Sequence, residues 1–176
     1  MSPYAAAKAS ALHIVRNYRD SFGIFASTGI TFNHESPLRT SNFVTKKIIQ
    51  HAYLISQSKC EHLELGNIEI YRDWGWAPDY VEAMHLMMQI NNPEDLIIST
   101  GNISSLKNFI DLSFKYFGLN WKNYVKINDK FIRSTDVLIN GGDPSRAKHV
   151  LGWQAKFLLK DIVNGMCESV QYEKLN

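Results

Sequence analysis

Short apolar runs rich in β-branched residues alternate along this chain with stretches of helical periodicity, and that alternation restricts it to an α/β fold. Ile24 to Phe32, bounded by Gly23 and Asn33, and Asp95 to Thr100, closed by Gly101, read as buried strands. Leu96, Ile97 and Ile98 are apolar on both faces, the mark of a strand inside a parallel sheet. Helices are expected over residues 2–22, 42–58 with Ser41 as cap, 77–90, and from a Ser104 or Ser105 cap to Phe117. Val81, Met84 and Met88 form an apolar stripe that reads as core. Two short strands, 62–65 and 68–72, are expected to pair around a Gly66-Asn67 turn. Residues 119–142 read as irregular, with short strands at Tyr124–Ile127 and Val137–Ile139. A short helix opens at Asp143-Pro144 and closes at Leu151-Gly152-Trp153. Leu159, Ile162, Val163, Met166 and Val170 then line a last amphipathic helix.

A chain of 176 residues suits a single unit, and 45% hydrophobic residues are enough for a core. Nineteen basic against 17 acidic residues leave a net charge of +2, too balanced for a nucleic-acid partner recognised by bulk charge. Cys60 and Cys167 lie far apart and outside any C-x-x-C, so free thiols in a reducing compartment are expected, with the cytoplasm as location. Cys60-Glu61-His62 lacks the partner set of a metal site. No run reaches the ~18 apolar residues of a membrane span, and no secretory signal is visible.

The chemistry concentrates at the beginning, Ser2-Pro3-Tyr4-Ala5-Ala6-Ala7-Lys8. Tyr4 and Lys8 are four apart, so a helix sets them on one face, one turn from each other. A phenol is a poor base at neutral pH, and an ammonium beside it favours the phenolate. The pair therefore suits proton transfer from a substrate hydroxyl. Asn33 ends the first strand, where open α/β sheets place ligands; its amide is either a phosphate donor or a turn cap. Asn33 to Ser41 reads as a polar loop, with His34 and Glu35 as hydrogen-bonding residues. Arg39 is free to pair with a phosphate or a neighbouring subunit. Lys46 and Lys47 follow a helix start, where an anion is favoured by free N–H groups and by charge; Lys47 is the preferred diphosphate contact. Arg72 offers the planar fork that recognises phosphate, Asp73 is placed to orient it, and Trp74 reads as core. No G-x-G-x-x-G fingerprint occurs in the chain.

The segment S-P-Y-A-x-A-K, followed by a helix and an apolar strand ending in Asn, resembles the extended short-chain dehydrogenase/reductase enzymes that modify nucleotide sugars. Phe32-Asn33-His34-Glu35-Ser36-Pro37, Phe43-Val44-Thr45-Lys46-Lys47-Ile48, Leu65-Gly66-Asn67, Arg72-Asp73-Trp74-Gly75, Asp79-Tyr80-Val81 and Gly142-Asp143-Pro144-Ser145-Arg146-Ala147 are similar, in this order, to the GDP-mannose 4,6-dehydratase family.

The resemblance implies the last part of a doubly wound Rossmann-type sheet interleaved with a small sugar-nucleotide domain. It implies NADP as cofactor and GDP-mannose as substrate, converted to GDP-4-dehydro-6-deoxy-mannose. By resemblance Tyr4 is the base for the C4 hydroxyl, and Lys8 lowers its pKa and holds the nicotinamide ribose. His34 and Arg39 contact the cofactor across a homo-oligomer interface, while Asn33, Lys47, Arg72 and Arg133 hold GDP.

The family carries a cofactor-binding half before the Tyr/Lys helix. These residues are therefore expected to be inactive unless a separate chain supplies that half, and to expose a sheet edge that promotes self-association. The alternatives are a non-catalytic remnant that binds a nucleotide sugar or a full-length partner, or another nucleotide-sugar epimerase or reductase of the same family.

Overall fold

The computed structural model describes residues 2–132 and 137–173. Helix α1 spans Pro3–Phe22. The Ser2 hydroxyl accepts from the Ala5 N–H at 3.1 Å, and Gly23 ends the helix at φ 61°, a left-handed conformation that glycine adopts without a Cβ clash. None of its residues is buried. Charge ties it down instead: Arg19 reaches Asp95 at 2.8 Å and Arg16 reaches it at 3.2 Å.

The expected buried strand over 24–32 is shorter. Strand β1 spans Gly29–Thr31, while Ile24 and Phe25 are exposed. Strand β2 (Asn33–Glu35) follows at once, so Asn33 and His34 belong to a strand rather than to a polar loop. Helix α2 spans Val44–Ser56. Its cap is Phe43, not Ser41, because the chain turns at residues 41–42, Phe43 is extended (φ −94°, ψ 139°) and the Phe43 carbonyl accepts the first helical bond from the Lys47 N–H.

The expected hairpin around Gly66-Asn67 does not form. Strand β3 (Leu63–Leu65) pairs in parallel with β7 (Val125–Ile127). Beyond it, the Ile68 and Ile70 carbonyls accept from the N–H groups of Lys107 and Leu106, so this segment is already engaged elsewhere. Strand β4 (Tyr71–Trp76) joins a different sheet. Its second half lies parallel to β2, with Asn33 opposite Trp74 and Glu35 opposite Trp76. Its first half pairs antiparallel with β6 (Ile103–Ser105) and parallel with β8 (Ile139–Asn140).

Helix α3 spans Ala77–Met87. The stripe read as core faces outward: Val81, Met84 and Met88 are exposed, and Tyr80, Ala83 and Met87 are buried instead. Two contacts set this rotation. A Cβ on Gly75 would lie 2.3 Å from the Tyr80 ring, so only glycine lets that ring down onto β4. The buried Asp79 carboxylate accepts from the N–H groups of Lys156 and Phe157 at 2.8 and 3.0 Å.

Strand β5 (Leu96–Ile98) pairs in parallel with β1, with Leu96 and Ile98 buried. Helices α4 (Leu106–Tyr116), α5 (Ser145–Leu151) and α6 (Leu159–Val170) complete the described fold. Ser105 caps α4 by accepting from the Asn108 N–H. Pro144 sits at the cap of α5, so the helix begins one residue later than an opening at Asp143-Pro144 implies, and Asp143 accepts from the Ser145 N–H.

Two hydrophobic clusters organise these elements. One gathers α2, β3, α4 and α6 around Ile48, Phe109, Phe114 and Met166. The other packs α3 and α5 on β5 through Tyr80, Leu96, Ala147 and Trp153. The segments that build them interleave in sequence, and β4 runs between the two.

Candidate functional site

Two adjoining clefts open where β2 and β4 run side by side. The smaller holds about 340 Å³ and is lined by Asn33, Asn42, Asn67, Arg72, Phe131 and the first turn of α2, among others. The larger, about 680 Å³, is lined by Tyr4, Lys8, Thr31, Asn33, His34 and Asn140, among others. Asn33, Arg39 and Phe43 line both.

Tyr4 and Lys8 sit one turn apart on α1, with the Lys8 ammonium 5.7 Å from the centre of the Tyr4 ring. The phenol is 71% exposed, open to a ligand entering the larger cleft. His34 Nδ1 lies 2.9 Å from the Phe32 carbonyl, and its ring packs at a tilt against Tyr80, 5.1 Å between ring centres. This backing fixes the imidazole at the cleft wall.

Arg39 is paired rather than free. Its Nε and Nη2 donate to the Glu35 carboxylate at 2.9 and 3.1 Å, and its guanidinium lies 3.9 Å from the centre of the Phe43 ring. Glu35, only 1% exposed, also accepts from the Thr45 hydroxyl at 2.8 Å. A buried carboxylate is tolerated when it is paired in this way. The hydrogen-bonding role expected of Glu35 holds, at the end of a strand rather than in a loop.

Arg72 Nη1 donates to the Tyr71 and Val137 carbonyls at 2.7 and 2.8 Å, and the half-buried side chain lines the smaller cleft. Asp73 does not orient it. Adjacent strand residues point to opposite faces, and the fully buried Asp73 carboxylate accepts from the Thr100 N–H, the Thr100 hydroxyl and the Gly101 N–H. It thereby fastens the turn between β5 and β6 to β4. Trp74 is buried, as its reading as core requires.

Lys47 is not among the residues lining either cleft. Its ammonium donates to the Glu64 carbonyl at 2.9 Å and lies over Phe131. Arg133 lies outside the described residues.

Sequence reasoning missed Asn42, Asn67 and Phe131 in the smaller cleft and Asn140 in the larger. Gly66-Asn67 carried a turn signal, and Asn67 does turn the chain by accepting from the Glu69 N–H. Asn42, Phe131 and Asn140 carried no pattern of their own. Among the described residues, no three His, Cys, Asp or Glu side chains are grouped to hold a metal ion, and no helix is long and apolar enough to cross a membrane.

Comparison with known proteins places these features in one family. The family model described as GDP-mannose 4,6 dehydratase matches residues 1–166. GDP-mannose 4,6 dehydratase 1 of Arabidopsis thaliana is 46% identical over 167 residues, covering 95% of this chain and 46% of the relative. The Dictyostelium discoideum GDP-mannose 4,6 dehydratase is 42% identical over 191 residues, covering 98% of this chain and 54% of the relative. The chain thus spans about half the length of the relatives it matches.

Among solved structures, RMD from Pseudomonas aeruginosa complexed with NADPH superposes with a TM-score of 0.89 over 98% of this chain and 57% of that one, at 17% identity. That likeness is one of fold: the Rossmann-type α/β architecture of the short-chain dehydrogenases/reductases. The ordered motifs, the Tyr/Lys helix beside its cleft and the extent of the family match lead to one conclusion: this chain belongs to the GDP-mannose 4,6 dehydratase family.

Proposed function

We propose that this chain forms the nucleotide-sugar side of a GDP-mannose 4,6-dehydratase active site. One observation carries the reading: the cleft holding Tyr4 and Lys8 adjoins the cleft holding Arg72, across a wall shared by Asn33, Arg39 and Phe43. A ligand lying across that wall has its diphosphate near Arg72 and Asn33 and its sugar near Tyr4.

The electrostatics agree with an anionic ligand. Among the described residues, the larger cleft is lined by Lys8, His34 and Arg39 and by no carboxylate, and the carboxylate lining the smaller cleft, Glu35, is taken up by Arg39 and Thr45. The same lining fits the ribose–nicotinamide end of NADP, with Lys8 and Tyr4 as the groups that hold it and His34 and Arg39 as further contacts. When bound, NADP supplies the acceptor for the hydride of sugar C4 and its return to C6. Tyr4 takes the proton of the C4 hydroxyl, and Lys8 favours the phenolate that accepts it. Asn33 donates its amide, and Arg72 its fork, to the nucleotide phosphates. Lys47, which lines neither cleft, joins them only by moving its ammonium toward the ligand.

Ile14, Tyr18 and Phe22 lie exposed along α1, which supports assembly with further copies or with a complementing chain. The free thiols Cys60 and Cys167 support a reducing, cytoplasmic setting.

Calorimetric titration with GDP-mannose tests the reading. Binding is expected to survive Tyr4→Phe and to weaken about tenfold or more in Arg72→Ala, because a charge-assisted hydrogen bond contributes about 1.5–3 kcal/mol. Failure of the unaltered chain to bind, or equal binding by Arg72→Ala, would overturn it.

A further inference from the structure

We propose that Glu173 is a positioning residue of the cleft, acting through the buried ammonium of Lys46 to fix the 36–43 turn that carries Arg39 and Asn42. The proposal deepens the reading above and rests on it for its functional consequence.

Lys46 and Thr45 are neighbours at the start of α2 whose side chains part company. Thr45 turns to Glu35 on the cleft side. Lys46 turns away, its side chain only 3% exposed, and its ammonium donates to the Pro37 carbonyl at 3.0 Å. A buried ammonium needs a counter-charge. Glu173 provides it as the ion-pair partner of Lys46, with Gln50 Nε2 at 3.5 Å from its other oxygen. The Glu173 side chain is 30% exposed, and its own N–H donates to the Val170 carbonyl at the end of α6.

The chain therefore runs from α6 through Glu173 and Lys46 to the Pro37 carbonyl, and from there to Arg39 two residues on. The turn is held from two sides: Arg39 by Glu35 on the cleft side, Pro37 by Lys46 behind. With the rear hold removed, Arg39 and Asn42 lose the fixed position from which they line the cleft. The family match ends at residue 166, so this hold comes from a part of the chain beyond that match.

The test is amide hydrogen exchange together with GDP-mannose titration on the unaltered chain, Glu173→Gln and Lys46→Met. The Arg39 N–H donates to the Ser36 carbonyl and the Phe43 N–H to the Thr40 carbonyl, so both amides report directly on the turn. Both variants are expected to speed their exchange about tenfold while the amides of Phe109 to Phe114 in α4 keep their rates. GDP-mannose affinity should fall in both. Unchanged exchange at Arg39 and Phe43, or an equal rise throughout α4, overturns the proposal. If the unaltered chain does not bind GDP-mannose, the functional reading falls, and the exchange rates alone decide the role of Glu173.

Discussion

Replacing Asp95 with asparagine should loosen the helix that carries the proposed proton-transfer pair. Helix α1 buries none of its residues, so its hold on the sheet depends on a few polar contacts. Asp95 accepts from Arg19 at 2.8 Å, from Arg16 at 3.2 Å and from the Thr28 N–H at 3.1 Å, which joins α1 to the entrance of β1. The Arg19 hydrogen bond, chiefly, holds this carboxyl at about 2, below its ordinary value of 3.8. At about 1.4 kcal/mol per pH unit, and discounted for the part that faces water, this corresponds to about 2 kcal/mol at neutral pH.

The sign follows from a depressed folded-state value: the stabilisation is complete above the ordinary carboxylate range and is lost as pH falls from about 4 through about 2. The geometry multiplies the effect. Tyr4 lies 15 residues from Arg19, about 22 Å along the helix, so a tilt of about 10° at the Asp95 end moves the phenol by roughly 4 Å. Asparagine keeps an acceptor for the Thr28 N–H but has no charge for the arginines. Urea denaturation at pH 7 should show Asp95→Asn less stable by about 2 kcal/mol, with the difference closing toward pH 2, and the α1 amides should exchange faster. A difference below about 0.5 kcal/mol together with unchanged α1 exchange would refute the reasoning.

Asp73→Asn should cost about 2–4 kcal/mol in urea denaturation, because its amide must face one of three donors inside a fully buried site. A loss under about 1 kcal/mol would mean that the turn at Thr100-Gly101 is held by other contacts. Burial pushes the Cys167 thiol up to about 12, so a thiol-selective disulfide reagent at pH 8 should modify Cys60 in the folded chain and Cys167 only after unfolding. Equal labelling rates at the two cysteines would contradict that burial.

Local chemistry made much of this protein legible from its residues in order. Helix α1 was readable because Pro3 and Gly23 each act on nearby backbone, and Tyr4 and Lys8 share a face by helical spacing alone. Strand β5, helix α4 with its Ser105 cap and the apolar face of α6 were legible on the same grounds. Long-range pairing was not. Gly66-Asn67 has the composition of a hairpin turn, yet β3 pairs with a strand 62 residues later (Leu63 opposite Val125), because parallel partners carry no signal in the intervening turn. The rotation of α3 depended on the space above Gly75 and on two N–H groups near residue 156 that reach Asp79, so periodicity alone chose the wrong face.

The site divides in the same way. The residue types for proton transfer and anion binding can be read along the chain. That Asn33 and Arg39 stand in a wall between two clefts, that Lys47 spends its charge on a carbonyl, and that Asp73 braces a turn instead of Arg72 were decided only when β2 and β4 came together. A hydrogen bond is chosen by distance and direction in space, and neither is encoded in residue order beyond a turn or two.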